Sequence, residues 1–157
     1  MLHKKLQATL FGTVAGITAI YGSLFVAVTP VRADDAEYSG QVRTQLMAAA
    51  IRVGLEGYSL THDPFIDVLD HGRSDYITLN LRAGTSYGIV GVCDSDCRDL
   101  DISLYDSRGN RVASDLGNDD IPTITINPSR SGTYRIRVDM ASCDTRNCYY
   151  GIGAFGQ

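Results

Sequence analysis

The feature that most constrains this chain is the alternation of apolar and polar residues across residues 76–115, broken at intervals by turn residues. Ile77, Leu79 and Leu81 alternate with Thr78, Asn80 and Arg82, the period of a strand with one buried face. Ala83-Gly84-Thr85-Ser86 then turns the chain. Further strands are expected at 87–92, at Leu100, Ile102 and Leu104, and at 111–115, 123–126, 133–140 and 148–155. Seven short strands at even spacing, with Gly, Asn and Asp between them, predict an all-β domain: an antiparallel β-sandwich of jelly-roll type. The segment offers no crossover helix, so parallel pairing is not expected.

One hairpin can be read at residue level. Asp106-Ser107-Arg108-Gly109 fits a type I turn with Gly109 as the left-handed residue of a bulge. That register sets Asp106 opposite Asn110, Leu104 opposite Val112 on the inner face, and Asp101 opposite Asp115 on the outer face.

Ahead of this domain the character changes twice. Residues 1–33 begin with Lys4 and Lys5, continue through an uncharged apolar run at 6–28, and end in Val31-Arg32-Ala33. This is the pattern of an export signal cut after Ala33, with an uncleaved membrane anchor as the alternative. Residues 34–57 read as an N-terminal helix: Tyr38, Val42, Leu46, Ala49 and Val53 recur on one face. Met47, Ala50, Ile51 and Leu55 widen that face, Asp35 is placed to cap the start, and Gly57 to end it. Residues 58–74 read as a connector with one apolar run at 65–69, leaving 75–157 as the sandwich. His62 and His71 lie in the connector near Asp63, Asp67 and Asp70, at no spacing that defines a metal site. They are expected to be surface histidines.

Charge narrows the partners. Residues 34–157 carry 11 arginines, no lysine, 16 Asp and two Glu, a net charge of −7. Such a surface repels phosphate backbones, so nucleic acid is not an expected partner. Asp is a turn residue and Glu a helix former, which fits a loop-rich β body.

All four cysteines follow the signal segment, which points to disulfides. Three pairings are possible. The local one, Cys93–Cys97 with Cys143–Cys148, is preferred because each pair brackets a short polar loop at a strand end. A cross pairing would constrain more chain, and zinc binding is the rival chemistry at this spacing. Export favours disulfides.

The order of four motifs adds a resemblance. Leu81-Arg82-Ala83-Gly84-Thr85-Ser86-Tyr87 is followed by Cys93-Asp94-Ser95-Asp96-Cys97-Arg98-Asp99-Leu100-Asp101. Asp119-Asp120-Ile121-Pro122 and Ser131-Gly132-Thr133-Tyr134 come after. Over residues 70–157 the chain resembles the bacterial pre-peptidase C-terminal domain, a secreted β-sandwich related to collagen-binding modules. The resemblance implies export, a jelly-roll-like sandwich and an accessory role beside peptidases. Some relatives bind calcium or extracellular polymers. The chain shows no peptidase domain, so an accessory role in cis is not expected.

No catalytic motif is present: no Gly-x-Ser-x-Gly, no HExxH helix and no phosphate-binding glycine loop. His71 beside Asp70 lacks a positioned nucleophile. The expected function is therefore an exported, periplasmic or secreted, non-catalytic module binding an extracellular protein or polysaccharide. A small secreted hydrolase or peptidase inhibitor on the same fold is the alternative. Contact with a membrane is expected only through an uncleaved signal segment. A calcium site is expected where the hairpin register gathers Asp94, Asp96, Asp99, Asp101, Asp115, Asp119 and Asp120 at one end of the sandwich. Arg98 and Arg111 neutralising these acids is the simpler alternative.

Overall fold

A computed structural model describes the backbone of residues 33–157 and the side chains of residues 40–157. The proposed signal segment therefore lies almost wholly outside the described residues. One helix, α1 (Ala33–Arg52), precedes nine strands: β1 (Ser59–Leu60), β2 (Phe65–Asp70), β3 (Ser74–Leu81), β4 (Tyr87–Cys93), β5 (Cys97–Tyr105), β6 (Arg111–Asp115), β7 (Thr123–Ile126), β8 (Gly132–Cys143) and β9 (Asn147–Gly156).

The strands form two antiparallel sheets. One runs β3-β8-β5-β6. The other runs β9-β4-β7, with β1 and β2 lying end to end along the free side of β9. The all-β sandwich read from the alternation is the observed fold, with nine strands in place of seven. Residues 58–74 are not a connector, because β1 and β2 are both hydrogen-bonded members of a sheet. The run Phe-Ile-Asp-Val-Leu-Asp of β2 lacks clean alternation because none of its side chains is fully buried.

Two apolar layers hold the fold. Between the sheets, Leu79, Leu81, Leu100, Ile102, Leu104, Ile136, Val138, Met140 and Tyr150 make the main core. Burying each such aliphatic side chain contributes about 2 kcal/mol. On the far side of the five-stranded sheet, α1 lays Val42, Leu46, Ala49 and Ala50 against Val90, Val92 and Phe155. Strands β4 and β9 are thus covered on both faces. Every residue of β4 is buried, which is why its sequence shows no alternation.

Glycines let the helix approach this closely. A Cβ built on Gly151 would lie 2.2 Å from Val42 Cγ1, and one on Gly88 would lie 2.4 Å from Leu55 Cδ1. Both positions face the helix layer and are filled by its side chains.

The backbone is already helical at Ala33, the first described residue, and the helix stops at Arg52, so Asp35 lies within it rather than at its cap. The stop is not Gly57. Gly54, at φ 82°, donates to the Ile51 carbonyl, and Leu55 N–H donates to the Ala50 carbonyl. This is the paired closure of a Schellman motif, with Leu55 folding back into the apolar layer. Met47 and Ile51 do not widen the buried face; both are exposed.

The β5–β6 hairpin begins as expected and then departs. Gly109 has φ 83°, Gly109 N–H donates to Asp106 O, and Asp106 N–H donates to Asn110 O. Tyr105 pairs with Arg111, but Leu104 pairs with Ala113, leaving Val112 as an extra residue. Val112 is accordingly exposed rather than opposite Leu104. The bulge also shifts Asp115, which pairs with Ile102 rather than Asp101.

Candidate functional site

The cysteines set the geometry of one end of the sandwich. Cys93–Cys97 and Cys143–Cys148 are the two disulfides. Each ties the two sheets together: Cys93 on β4 to Cys97 on β5, and Cys148 on β9 to Cys143 on β8. Cys97 and Cys143 are themselves cross-strand partners, so both links meet at the same corner. With every cysteine bonded, neither a zinc site nor a cross pairing is what the structure contains.

The seven acids expected to hold calcium lie around this end, with Asp99, Asp101, Asp115 and Asp119 near enough for their charges to act on one another. Asp94 accepts hydrogen bonds from the backbone N–H of Tyr149 (2.8 Å) and of Asp96 (3.2 Å). Asp115 accepts from Thr123 N–H and Gly117 N–H, and Asp119 from Ile121 N–H. These carboxylates organise turns. Arg98 pairs with Asp144 across the two disulfide loops, and Asp96 and Asp120 lie near enough to reinforce its charge. Arg111 pairs with Tyr105 two rows along the same outer face from Asp101 and makes no ion pair with these acids among the described residues.

Asp99 and Asp101 differ from the rest. Each has one buried carboxylate oxygen with no hydrogen-bond partner among the described residues. Burial raises the pKa of Asp99, with the charge of Asp119 adding to it. Burial also raises that of Asp101, followed by the charges of Asp99, Asp139, Asp115 and Asp119. Among the described residues no three His, Cys, Asp or Glu side chains are grouped so as to hold a metal ion.

The histidines are held by the backbone. His62 Nε2 lies 3.1 Å from the Asn80 carbonyl and its Nδ1 lies 2.9 Å from Thr61 Oγ1. His71 Nδ1 accepts the Cys143 N–H at 3.0 Å.

The outer face of the four-stranded sheet is covered by no other element among the described residues. Alternation fixes what it displays. The inward residues of β8, Tyr134, Ile136, Val138 and Met140, are buried, so Thr133, Arg135, Arg137 and Asp139 point outward. The register then lines up three rows across the strands. The first is Ser74, Asp139 and Asp101. The second is Tyr76, Arg137, Ser103 and Ser114. The third is Thr78, Arg135, Tyr105 and Arg111.

These rows contain no aliphatic side chain. Arg135 stacks its guanidinium 4.8 Å above the centre of the Tyr76 ring, which leaves its N–H groups free to face outward. Tyr76 remains 51% exposed beneath it. Arg137 is anchored by Asp139 at 2.6 Å and by Ser74 Oγ at 3.1 Å. The charge of Asp139 raises the Arg137 pKa further. Ser74 donates in turn to Asp139. Of the face residues, Asp101 and Arg111 were singled out from the sequence, as a calcium ligand and as its neutralising alternative. The outward row of β8 was legible in its alternation, but its partners on β3, β5 and β6 were not.

No protein-family model matches the sequence, and no curated protein matches it. Solved structures do match in fold. The pre-peptidase C-terminal domain of a Bacillus anthracis collagenase is 17% identical, over 58% of this chain and 86% of that one, with a TM-score of 0.45. Aeromonas hydrophila PliG, a periplasmic lysozyme inhibitor of g-type lysozyme, is 14% identical, over 65% of this chain and 90% of that one, with a TM-score of 0.48. The first is the kind of domain that the order of motifs resembles.

Proposed function

We propose that the chain is an exported, non-catalytic binding module that takes its ligand on the outer face of the four-stranded sheet. One observation carries this reading. The two sheets are treated unequally: α1 covers the outer face of one, while the other presents ordered rows of arginine, tyrosine and hydroxyl side chains. An open face of polar and aromatic groups on a rigid sheet suits recognition of an extended extracellular protein or polysaccharide. Export is supported by the two disulfides, which persist in oxidising compartments, and by the signal-like residues 1–33. No helix among the described residues is long and apolar enough to cross a membrane. The non-catalytic reading is supported by the engagement of both histidines with backbone groups, away from any activated nucleophile.

The test is capture of cell-envelope components by the exported protein and by a Tyr76→Ala/Arg135→Gln variant. Loss of capture in the variant, with its melting temperature unchanged, is the expected result. Equal capture by both proteins would place the ligand elsewhere. Turnover of peptide, ester or glycan substrates would make the chain an enzyme and end the reading.

A further inference from the structure

The basic groups of the open face are not spread evenly. Three chain segments, 78–82, 105–111 and 129–135, build the end of the four-stranded sheet remote from the disulfides. They carry Arg82, Arg108, Arg111, Arg130 and Arg135, nearly half of the 11 arginines of residues 34–157, and a single acid, Asp106.

That acid is spent on the turn. The Asp106 carboxylate accepts the N–H groups of Arg108 and Asn110, both at 2.9 Å, and the Asn110 side-chain amide at 3.0 Å. The hydrogen bond from the Asn110 side chain is the main reason its pKa is held below the usual carboxylate value. None of the five arginines forms an ion pair among the described residues, where the ion pairs belong to Arg98 and Arg137; only the charge of Arg108 acts on Asp106. Within residues 34–157, whose net charge is −7, this is a basic end opposite an acidic one.

Two shallow depressions flank the arginines. One, of about 280 Å³, is lined by Arg108, Arg130, Ser129 and Ser131. The other, of about 340 Å³, adjoins it and is lined by Thr78, Ser107, Thr133 and Arg135. Guanidinium and hydroxyl groups dominate both, alongside the turn-bound Asp106 carboxylate, which lines both, and Val112, which lines the first; the stacked Arg135–Tyr76 pair lies beside them.

We infer that this basic end binds an anionic polysaccharide, a linear chain bearing carboxylate groups. Guanidinium groups take carboxylates in a bidentate fork, the serine and threonine hydroxyls match sugar hydroxyls, and Tyr76 and Tyr105 offer ring faces. The acidic remainder of the surface argues against a long phosphate polymer, which would extend past the basic end. The inference rests on the binding-face reading and names the ligand class of that face.

The experiment is native electrophoresis of the exported protein through gels containing polygalacturonate, with amylose as the neutral control. Retardation by polygalacturonate alone is expected, weakening as salt is added. Arg111→Gln/Arg135→Gln and Arg108→Gln/Arg130→Gln should each weaken binding about tenfold, since each removes two charge-assisted contacts. Arg43→Gln, on the helix, should leave it unchanged. Any of the following overturns the inference: no retardation, equal retardation by amylose, retardation indifferent to the double variants, or tighter binding to duplex DNA. Sedimentation showing salt-sensitive self-association in place of polymer binding would do the same, making the acidic end of a second copy the occupant. If polygalacturonate fails but Tyr76→Ala/Arg135→Gln still abolishes envelope capture, the polysaccharide inference falls and the binding face stands. If both fail, the face itself is wrong.

Discussion

Cys97 stands directly across from Cys143 in the β5–β8 pairing, and each is bonded to a cysteine of the opposite sheet. The disulfides span only four and five residues of chain, yet both tie the two sheets together at the same corner. Loop closure over so few residues contributes about 2 kcal/mol per bond. Cys93→Ala/Cys97→Ala should therefore lose about 2 kcal/mol in denaturant unfolding. Peptide mapping without reduction should recover 93–97 and 143–148 as separate pairs. A peptide joining the two loops would contradict the geometry.

Gly151 is the tightest point of the helix layer. Its substitution by Ala would drive a methyl into Val42 Cγ1 and lift α1 from the sheet. Overpacking of this kind costs about 2 kcal/mol. Because the clash is with one side chain, Val42→Ala in the same molecule should relieve it. The double variant should be less destabilised than the sum of the single ones. Strict additivity in chemical denaturation would show that the helix does not rest on Gly151.

Asp101 faces Asp139 across the sheet, and burial together with the nearby acids raises its pKa. A carboxylate whose folded pKa lies above its unfolded value favours the fold while protonated, and that contribution is lost as pH rises through the folded pKa. Wherever Asp101 is ionised in the folded state the penalty is present. Asp101→Asn should stabilise the protein at pH 7 by about 0.5 kcal/mol, the scale of a like-charge cross-strand pair. The gain should shrink as pH falls through the carboxylate range. A variant less stable than wild type at pH 7 would show that Asp101 has a favourable partner.

Calcium provides a separate check on the same residues. With the acids divided among turns, the wild-type melting midpoint should be the same in millimolar calcium and in chelator. A rise in calcium that Asp101→Asn abolishes would show that the acidic end closes around the ion on binding.

How much of this could be read from the chain depends on whether the signal was local. Strands β3, β5 and β8 were legible because one face of each is buried and the other open. Strand β2 was hidden by its half-exposed residues, whereas β4 was read as a strand at 87–92 although burial on both faces removes its alternation. Gly54 and Gly57 both have left-handed backbones, and only the hydrogen bonds identify Gly54 as the one that closes the helix. The extra residue Val112 moved Asp115 away from Asp101, and the partner that Asp101 gained, Asp139, is supplied by a strand distant in sequence. The basic end likewise exists only once three separated segments meet.

The central claim, that the open sheet is the ligand face, can be tested inside the cell. A photo-crosslinking residue placed at Thr78 would report on the outer face of the four-stranded sheet; the same residue at Thr44 would report on the exposed side of α1. Both positions are exposed, so neither substitution disturbs the core. Crosslinked product in the cell envelope from Thr78 and none from Thr44 is the predicted result. Product from Thr44 alone would contradict it and move the ligand to the helix.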